Sequence, residues 1–199
     1  MKFIALSGSY RKDGVTEQAA KALLEGAASK GAQTGFVALR DKNIQFCTNC
    51  RNCNQQPGEE PGECTLEDDM KSLIRECLAS DVLVVASPIN FYSATAMSKK
   101  FLERLVPFGY WPWDMPSPKM RLKGTARKAV LMSSSAAPAF IMSLLMLRST
   151  DILKHTAKTF GAKVVKNLRY GLVGMKPHVE LSPKALKKAF DLGAKLASN

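Results

Sequence analysis

Short apolar blocks alternate with helix-spaced apolar stripes from one end of the chain to the other. Phe3-Ile4-Ala5-Leu6 is a continuous block that ends at Ser7, the pattern of a strand buried on both faces. Ala19, Ala22, Leu23, Gly26 and Ala27 then follow the i, i+3, i+4, i+7, i+8 spacing of an amphipathic helix. Thr34 to Leu39 reads as a second strand, and Asp81 to Ala86 as a third that is almost uniformly apolar. Lys128 to Met132 and Lys163-Val-Val supply a fourth and a fifth. Helical stripes lie between them at Met70, Leu73, Ile74, Cys77 and Leu78, at Met97, Phe101 and Leu105, and at Ile152, Leu153, Thr156 and Phe160. Thr65 with Asp68 resembles a capping box before the first of these, and Gly161 is a C-terminal stop after the last. Ser182 as N-cap and Pro183 at the first helical position open a final helix through Leu186, Ala189, Phe190 and Gly193. The alternation predicts an α/β fold, a doubly wound five-stranded parallel sheet with helices on both faces. Two stretches break it: a polar, cysteine-rich loop at about 40–64 and an aromatic, Pro-rich insertion at about 107–126. The expected organisation is one domain over residues 1–199 carrying these two excursions.

In such a sheet, ligands sit beyond the carboxyl ends of the strands where strand order reverses, between the first and third strands. The loop after the first strand, Gly8-Ser9-Tyr10-Arg11-Lys12-Asp13-Gly14-Val15-Thr16, has the chemistry for that position. It runs into a helix N-terminus, whose free N–H groups and positive dipole end suit a phosphate. Ser9 and Thr16 offer hydroxyls, and Arg11 offers a charged planar fork. The glycine pattern fits neither a dinucleotide fingerprint nor a P-loop, which leaves another phosphate-bearing ligand such as FMN. The loop after the third strand, Ser87-Pro88-Ile89-Asn90-Phe91-Tyr92-Ser93, should lie beside it. There Pro88 is expected to stop the strand, Ile89 and Phe91 to line a flat ring, and Asn90 to hydrogen-bond its edge. Ser133-Ser134-Ser135-Ala136, after the fourth strand, forms a third candidate wall.

Composition narrows the classes further. The formal charge of +12 gathers at Lys99, Lys100 and Arg104, across Lys119 to Lys123, and at Arg127, Lys128, Lys187 and Lys188. No nucleic-acid-binding signature accompanies it, so the expectation is a solvated basic face with no nucleic-acid partner. Such a face would also attract an anionic cofactor or an acidic electron-transfer protein. The longest apolar run, Ala136 to Leu147, is too short to span a bilayer and reads as a buried or interface segment. With no signal peptide visible, the expected location is the cytoplasm.

Five cysteines in that setting point to reduced thiols, a metal site or redox chemistry. Cys47-x2-Cys50-x2-Cys53 can set three thiolates around one centre, and Cys64 follows after ten residues. Four such sulfurs suit an iron–sulfur cluster or zinc, and a reduced loop without metal is the plain alternative. Cys77, on an apolar helix stripe, reads as a buried packing residue. His155 and His178 lack metal-like spacing, and Trp111 and Trp113 read as subunit-interface residues. No serine has a His and acid pattern nearby to make a hydrolase triad, so no catalytic side chain is named.

The Ser9 to Thr16 loop resembles the Gly-Ser-Pro-Arg-Lys-x-Gly-x-Thr opening of flavodoxin-like NADPH-dependent FMN reductases. Asp68-Asp69-Met70, Ser87 to Phe91 and Lys100-Phe101-Leu102-Glu103-Arg104 resemble the same family's middle section. Tyr10 stands where proline is usual, Val15 where asparagine often is, and Asn90 where tyrosine is common. The resemblance implies that Ser9, Arg11, Val15 and Thr16 hold the FMN phosphate, and that Pro88, Ile89, Asn90 and Phe91 contact the ribityl chain and isoalloxazine, with Ser133 on the third wall. It implies an NAD(P)H-dependent oxidoreductase passing electrons to a small-molecule acceptor such as a quinone or free flavin, in a homodimer or homotetramer. The cysteine spacing resembles the iron–sulfur flavoproteins of this family, with a longer last gap. That implies an optional [4Fe–4S] cluster on Cys47, Cys50, Cys53 and Cys64. Two other readings stay open: an electron carrier fed by ferredoxin, and a non-enzymatic flavin or thiol redox sensor.

Overall fold

In the computed structural model, which describes residues 1–144, 147–176 and 178–198, the five apolar blocks form one parallel sheet. Its strands are β1 (Lys2–Ser7), β2 (Gln33–Ala38), β3 (Val82–Asn90), β7 (Lys128–Ser134) and β8 (Lys163–Tyr170), in the spatial order β2-β1-β3-β7-β8, while β5 (Gly109–Tyr110) and β6 (Lys119–Met120) form a separate antiparallel pair. Order therefore reverses at β1, whose two neighbours are β2 and β3. The interior strands are buried on both faces, so their side chains alternate between two apolar layers. Ile4, Leu6, Leu83, Val85 and Leu131 face one layer; Phe3, Ala5, Val84, Val130 and Met132 face the other.

Each layer is closed by helices whose stripes match the sequence reading. α1 (Val15–Ala28) and α6 (Pro183–Ala197) cover the second layer. They approach closely because both carry glycine at the crossing. A Cβ on Gly26 would lie 2.0 Å from the Phe190 carbonyl oxygen, and one on Gly193 would lie 1.9 Å from that of Leu23. α2 (Met70–Leu78), α3 (Ala96–Glu103) and α5 (Asp151–Thr159) cover the first layer. Phe101, Phe108 and Phe160 pack together there, Phe108 edge-on to Phe160 at 5.0 Å. Cys77 is fully buried in the same layer, where the lack of solvation pushes its thiol pKa up to about 12.

Several local expectations change. β3 does not stop at Pro88: it runs on to Asn90 and turns back through β4 (Ser93–Ala94) as a hairpin. Proline survives there because parallel pairing with β7 continues to the Pro88–Ser134 pair at the very end of the ladder. Thr65 does not cap α2. The helix starts five residues later, and the Met70 N–H donates to the Asp68 carboxylate at 3.0 Å. The start of α6 behaves as expected, with the Ser182 hydroxyl accepting from the Ala185 N–H. β8 extends well beyond Lys163-Val-Val as an edge strand, exposed over its first four residues and partly buried beyond, with Leu168 its one buried side chain. The short α4 (Ala139–Leu144) lies within the apolar run 136–147, of which residues 145 and 146 lie outside the described residues. No helix among the described residues is long and apolar enough to cross a membrane.

Three of the arginines expected on a solvated basic face are structural. Arg104 is buried at 2% exposure against the equally buried Asp68. Arg127 donates to the Leu78, Ser80 and Phe160 carbonyls, bridging β7 to the ends of α2 and α5. Arg121 donates to four loop carbonyls. The positive charge is thus partly an internal hydrogen-bonding resource.

Candidate functional site

A cavity of about 1110 Å³ opens at the carboxyl ends of β1, β3 and β7. Its walls are the loop from Ser9 to Thr16, the β3 residues Pro88, Ile89 and Asn90, and Ser134, Ser135 and Ala136 at the end of β7. The first and second walls are tied together by Thr95, the N-cap of α3, whose hydroxyl donates to the Gly8 carbonyl at 2.7 Å and accepts from the Ser98 N–H. Gly8 is required at this crossing, since a Cβ would sit 1.9 Å from the Ser98 hydroxyl oxygen. Tyr10 adds a second tie: its hydroxyl accepts from the Met97 N–H at 3.3 Å.

α1 begins at Val15 with Gly14 as N-cap and no side chain capping it, so its first-turn donors face the loop and the cavity. Ser9 is buried, and its hydroxyl is engaged within the loop: it donates to the Arg11 carbonyl at 3.0 Å and accepts from the Arg11 N–H at 3.1 Å. Its part is to shape the turn that presents the exposed Arg11. Thr16 is 1% exposed in the first turn of the helix.

Beneath the loop lies a feature the sequence reading missed. Glu17, fully buried, accepts from the Ser7 hydroxyl at 3.1 Å and the Asp13 N–H at 3.0 Å and pairs with Arg40. Arg40 in turn donates to the Ser9 and Arg11 carbonyls at 3.3 and 3.4 Å. An acidic residue in a helix first turn is a recognisable dipole partner, but nothing in the sequence linked it to an arginine twenty-three residues away. Gln18 does similar work on the far side. Its amide donates to the Asp13 and Val179 carbonyls and accepts from the Leu181 N–H at 2.9 Å. That ties the loop to a fourth wall containing Val173, Gly174, His178 and Glu180. The segment has no apolar period and gave no signal.

Of the nine residues expected around a flavin, Ser9, Arg11, Val15, Thr16, Pro88, Ile89 and Asn90 line the cavity, and Phe91 and Ser133 do not. Phe91 is 97% exposed at the tip of the β3–β4 hairpin, where it and Tyr92 both take positive φ angles, 46° and 63°. A two-residue turn of that hand fits a hairpin's twist and is usually filled by Asn or Gly. Ser133 fails for a simpler reason. Successive strand residues point to opposite faces, so Ser134 turns toward the cavity and Ser133 lies buried with its hydroxyl unpartnered.

The four cysteines of the second feature lie near one another. Burial, and then the charges of Cys64, Cys50 and Cys47, push the Cys53 thiol up to about 11. Cys50 is shifted the other way by the Asn52 backbone N–H and the Thr48 hydroxyl. Arg104 reaches Cys64, with 3.6 Å between guanidinium nitrogen and sulfur. Among the described residues no three Cys, His, Asp or Glu side chains stand at metal-binding distance. The donor chemistry nonetheless suits a sulfur-ligated group, since four free thiols lie within residues 47–64. His155 and His178 lie apart from it.

Sequence and structure comparisons place these features in a family. A model of the NADPH-dependent FMN reductase family matches residues 1–167. An iron–sulfur flavoprotein of Archaeoglobus fulgidus is 27% identical over 198 residues, covering 99% of this chain and 79% of that protein. An iron–sulfur flavoprotein of Methanocaldococcus jannaschii is 31% identical over 107 residues, 54% of this chain and 53% of its own length; the chain thus spans only about half of that relative. Among solved structures, the NAD(P)H:quinone oxidoreductase from Methanothermobacter marburgensis has a TM-score of 0.69 at 17% identity, covering 98% of both chains. An FMN-dependent NADH-azoreductase from Bacillus anthracis, in complex with FMN, has a TM-score of 0.67 at 14% identity over 100% of this chain and 98% of its own. At those identities the structures establish the fold. The family match over most of the chain, on a flavodoxin-like sheet with its cavity at the β1/β3 switch point, shows that this chain belongs to the NADPH-dependent FMN reductase family of FMN-dependent oxidoreductases.

Proposed function

We propose that the cavity at the ends of β1, β3 and β7 holds FMN, that NAD(P)H reduces it there, and that electrons leave to a small-molecule acceptor such as a quinone or free flavin. The observation that carries this reading is the convergence of three strand-end loops and an uncapped helix N-terminus on one cavity. The flavin, when bound, supplies the hydride acceptor and the store of one or two electrons. The chain's own part is binding and orientation. The α1 N–H groups, Thr16 and Arg11 take the phosphate, while Ser9, Arg40 and Glu17 keep the loop in shape. Pro88, Ile89 and Asn90 meet the ribityl and ring portions, with Ser134 and Ser135 opposite. Cytoplasmic residence and a homodimer or homotetramer belong to the same proposal.

The test is ligand retention. Protein saturated with FMN and desalted should keep a flavin spectrum and oxidise NAD(P)H when a quinone is supplied. Arg11→Ala should weaken FMN about ten- to a hundredfold, the loss expected of a hydrogen bond to a charged group. A wild-type protein that emerges colourless refutes the assignment.

The cysteine cluster supports a second component: a [4Fe–4S] group on Cys47, Cys50, Cys53 and Cys64, able to pass single electrons to or from an acidic protein such as a ferredoxin. The grouping of four thiols in one loop favours it. Iron and acid-labile sulfide in anaerobically purified protein decide this point.

A further inference from the structure

The cysteine loop and the aromatic insertion are separate excursions in the sequence, and the structure joins them. The guanidinium of Arg51, between Cys50 and Cys53, lies 3.9 Å from the ring centre of Trp111 and 4.3 Å from that of Trp113. The same group donates to the Trp111 carbonyl at 2.6 Å and to that of Pro112 at 3.3 Å. Three residues on, the 1%-exposed Asn54 donates to the carbonyls of Val106 and Gly109, and its own carbonyl accepts from the Trp111 N–H at 2.9 Å. From the other direction Arg121 donates to the Cys53, Gln56 and Gly58 carbonyls. Gly62 donates to the Pro107 carbonyl at 2.9 Å and passes so close to Cys53 that a Cβ would lie 1.9 Å from its carbonyl oxygen.

Every one of these contacts is made by protein atoms, and none uses a sulfur. We propose that residues 107–121 form a clamp that holds the backbone of the four-cysteine loop in one arrangement whether or not a group is bound, with Arg51 as the positioning residue. Two indoles within 4.3 Å and two accepting carbonyls leave a guanidinium little freedom. Arg51 adopts φ 60°, a left-handed conformation that an arginine takes only where its surroundings impose it. Neither Arg51 nor Arg121 pairs with a carboxylate among the described residues, so both bring uncompensated positive charge to the loop. That suits an anionic sulfur-ligated group. Loss of the group would leave the loop folded and ready to be reloaded, unlike small metal sites in which the metal itself supplies the folding energy. The inference rests on reading Cys47, Cys50, Cys53 and Cys64 as one donor set, but the clamp is tested without loading it.

The chain contains only two tryptophans, Trp111 and Trp113, so indole fluorescence reports on the clamp. Full-length protein, stripped with a chelator under anaerobic reducing conditions, should keep both indoles as shielded from acrylamide as before treatment. A glutamate-specific endoprotease should cut after Glu59 and Glu63 within twofold of the untreated rate. Arg51→Ala should raise quenching about twofold and speed that cleavage tenfold or more; Arg51→Lys, which keeps the charge but loses the planar fork, should fall between. Trp113→Leu removes one exposed face of the stack and guards against a misfolded Arg51 variant; it should speed cleavage about threefold with unchanged circular dichroism. Stripped wild-type protein cut as fast as Arg51→Ala would overturn the proposal, as would variants indistinguishable from wild type. Failure of wild-type protein to take up iron and sulfide would instead refute the cluster reading and leave the clamp to be judged by fluorescence and cleavage.

Discussion

Asp68 shows how much one side chain can organise. Burial alone would raise its pKa, but the Arg104 guanidinium and the Gln45 and Met70 N–H groups override that and hold it below the usual 3.8. Arg104, bound to the same carboxylate, also donates to the Gln45 carbonyl and touches Cys64. One pair thus joins α3, the start of α2 and both ends of the cysteine loop. A carboxyl whose folded pKa is depressed contributes stability at pH above its unfolded value, near 4, and loses it as pH falls through the folded value. Urea unfolding should therefore show wild-type stability declining below about pH 4. Asp68→Asn should cost about 3 kcal/mol at pH 7, because it leaves Arg104 buried without its counter-charge. The gap to wild type should close as acid protonates the wild-type carboxyl; a pH-independent gap would show that Asp68 acts through packing alone.

Among the elements, the α1–α6 pair is the contact most sensitive to side-chain size. Gly26 and Gly193 read from sequence as small residues on apolar stripes, and the structure shows backbone against backbone at both. Gly193→Ala must push the helices apart or tilt one of them. The expected loss is about 2 kcal/mol in urea unfolding, the usual cost of overpacking a close crossing. Because α1 also begins at the loop proposed to hold the FMN phosphate, the same variant should weaken FMN retention, measured by flavin release on dilution. The β3–β4 hairpin is the converse case. Its geometry is set by Phe91 and Tyr92 in left-handed conformations, and no apolar period signals a turn made by two aromatic residues.

For the molecule as a whole, the +12 charge matters after the buried arginines have been assigned to carbonyls and to Asp68. The exposed remainder, lysines especially, still gives a positive field. Electron transfer to an acidic protein acceptor should slow several-fold when salt rises from about 0.1 M to 1 M, as the screening length drops from ~10 Å to ~3 Å. Reduction of an uncharged quinone, followed by NAD(P)H oxidation, should hardly change. Equal salt sensitivity for the two acceptors would place the effect at the nicotinamide step.

The sequence by itself determined the layered sheet, its strand number and helix stripes, because burial on one or two faces imposes periods of 3.6 and 2 that survive any rearrangement of loops. It also determined the make-up of the first cavity wall, since small residues, an arginine and a helix start are contiguous between Ser9 and Thr16. Only tertiary structure decided which serine after β7 faces the cavity, a matter of strand pleat that one residue of register reverses. It alone joined Arg40 to Glu17, Gln18 to Val179, and Arg51 to Trp111 and Trp113. Those partners lie 23, 161 and some 60 residues apart, and a contact between polar groups so distant leaves no period in the chain.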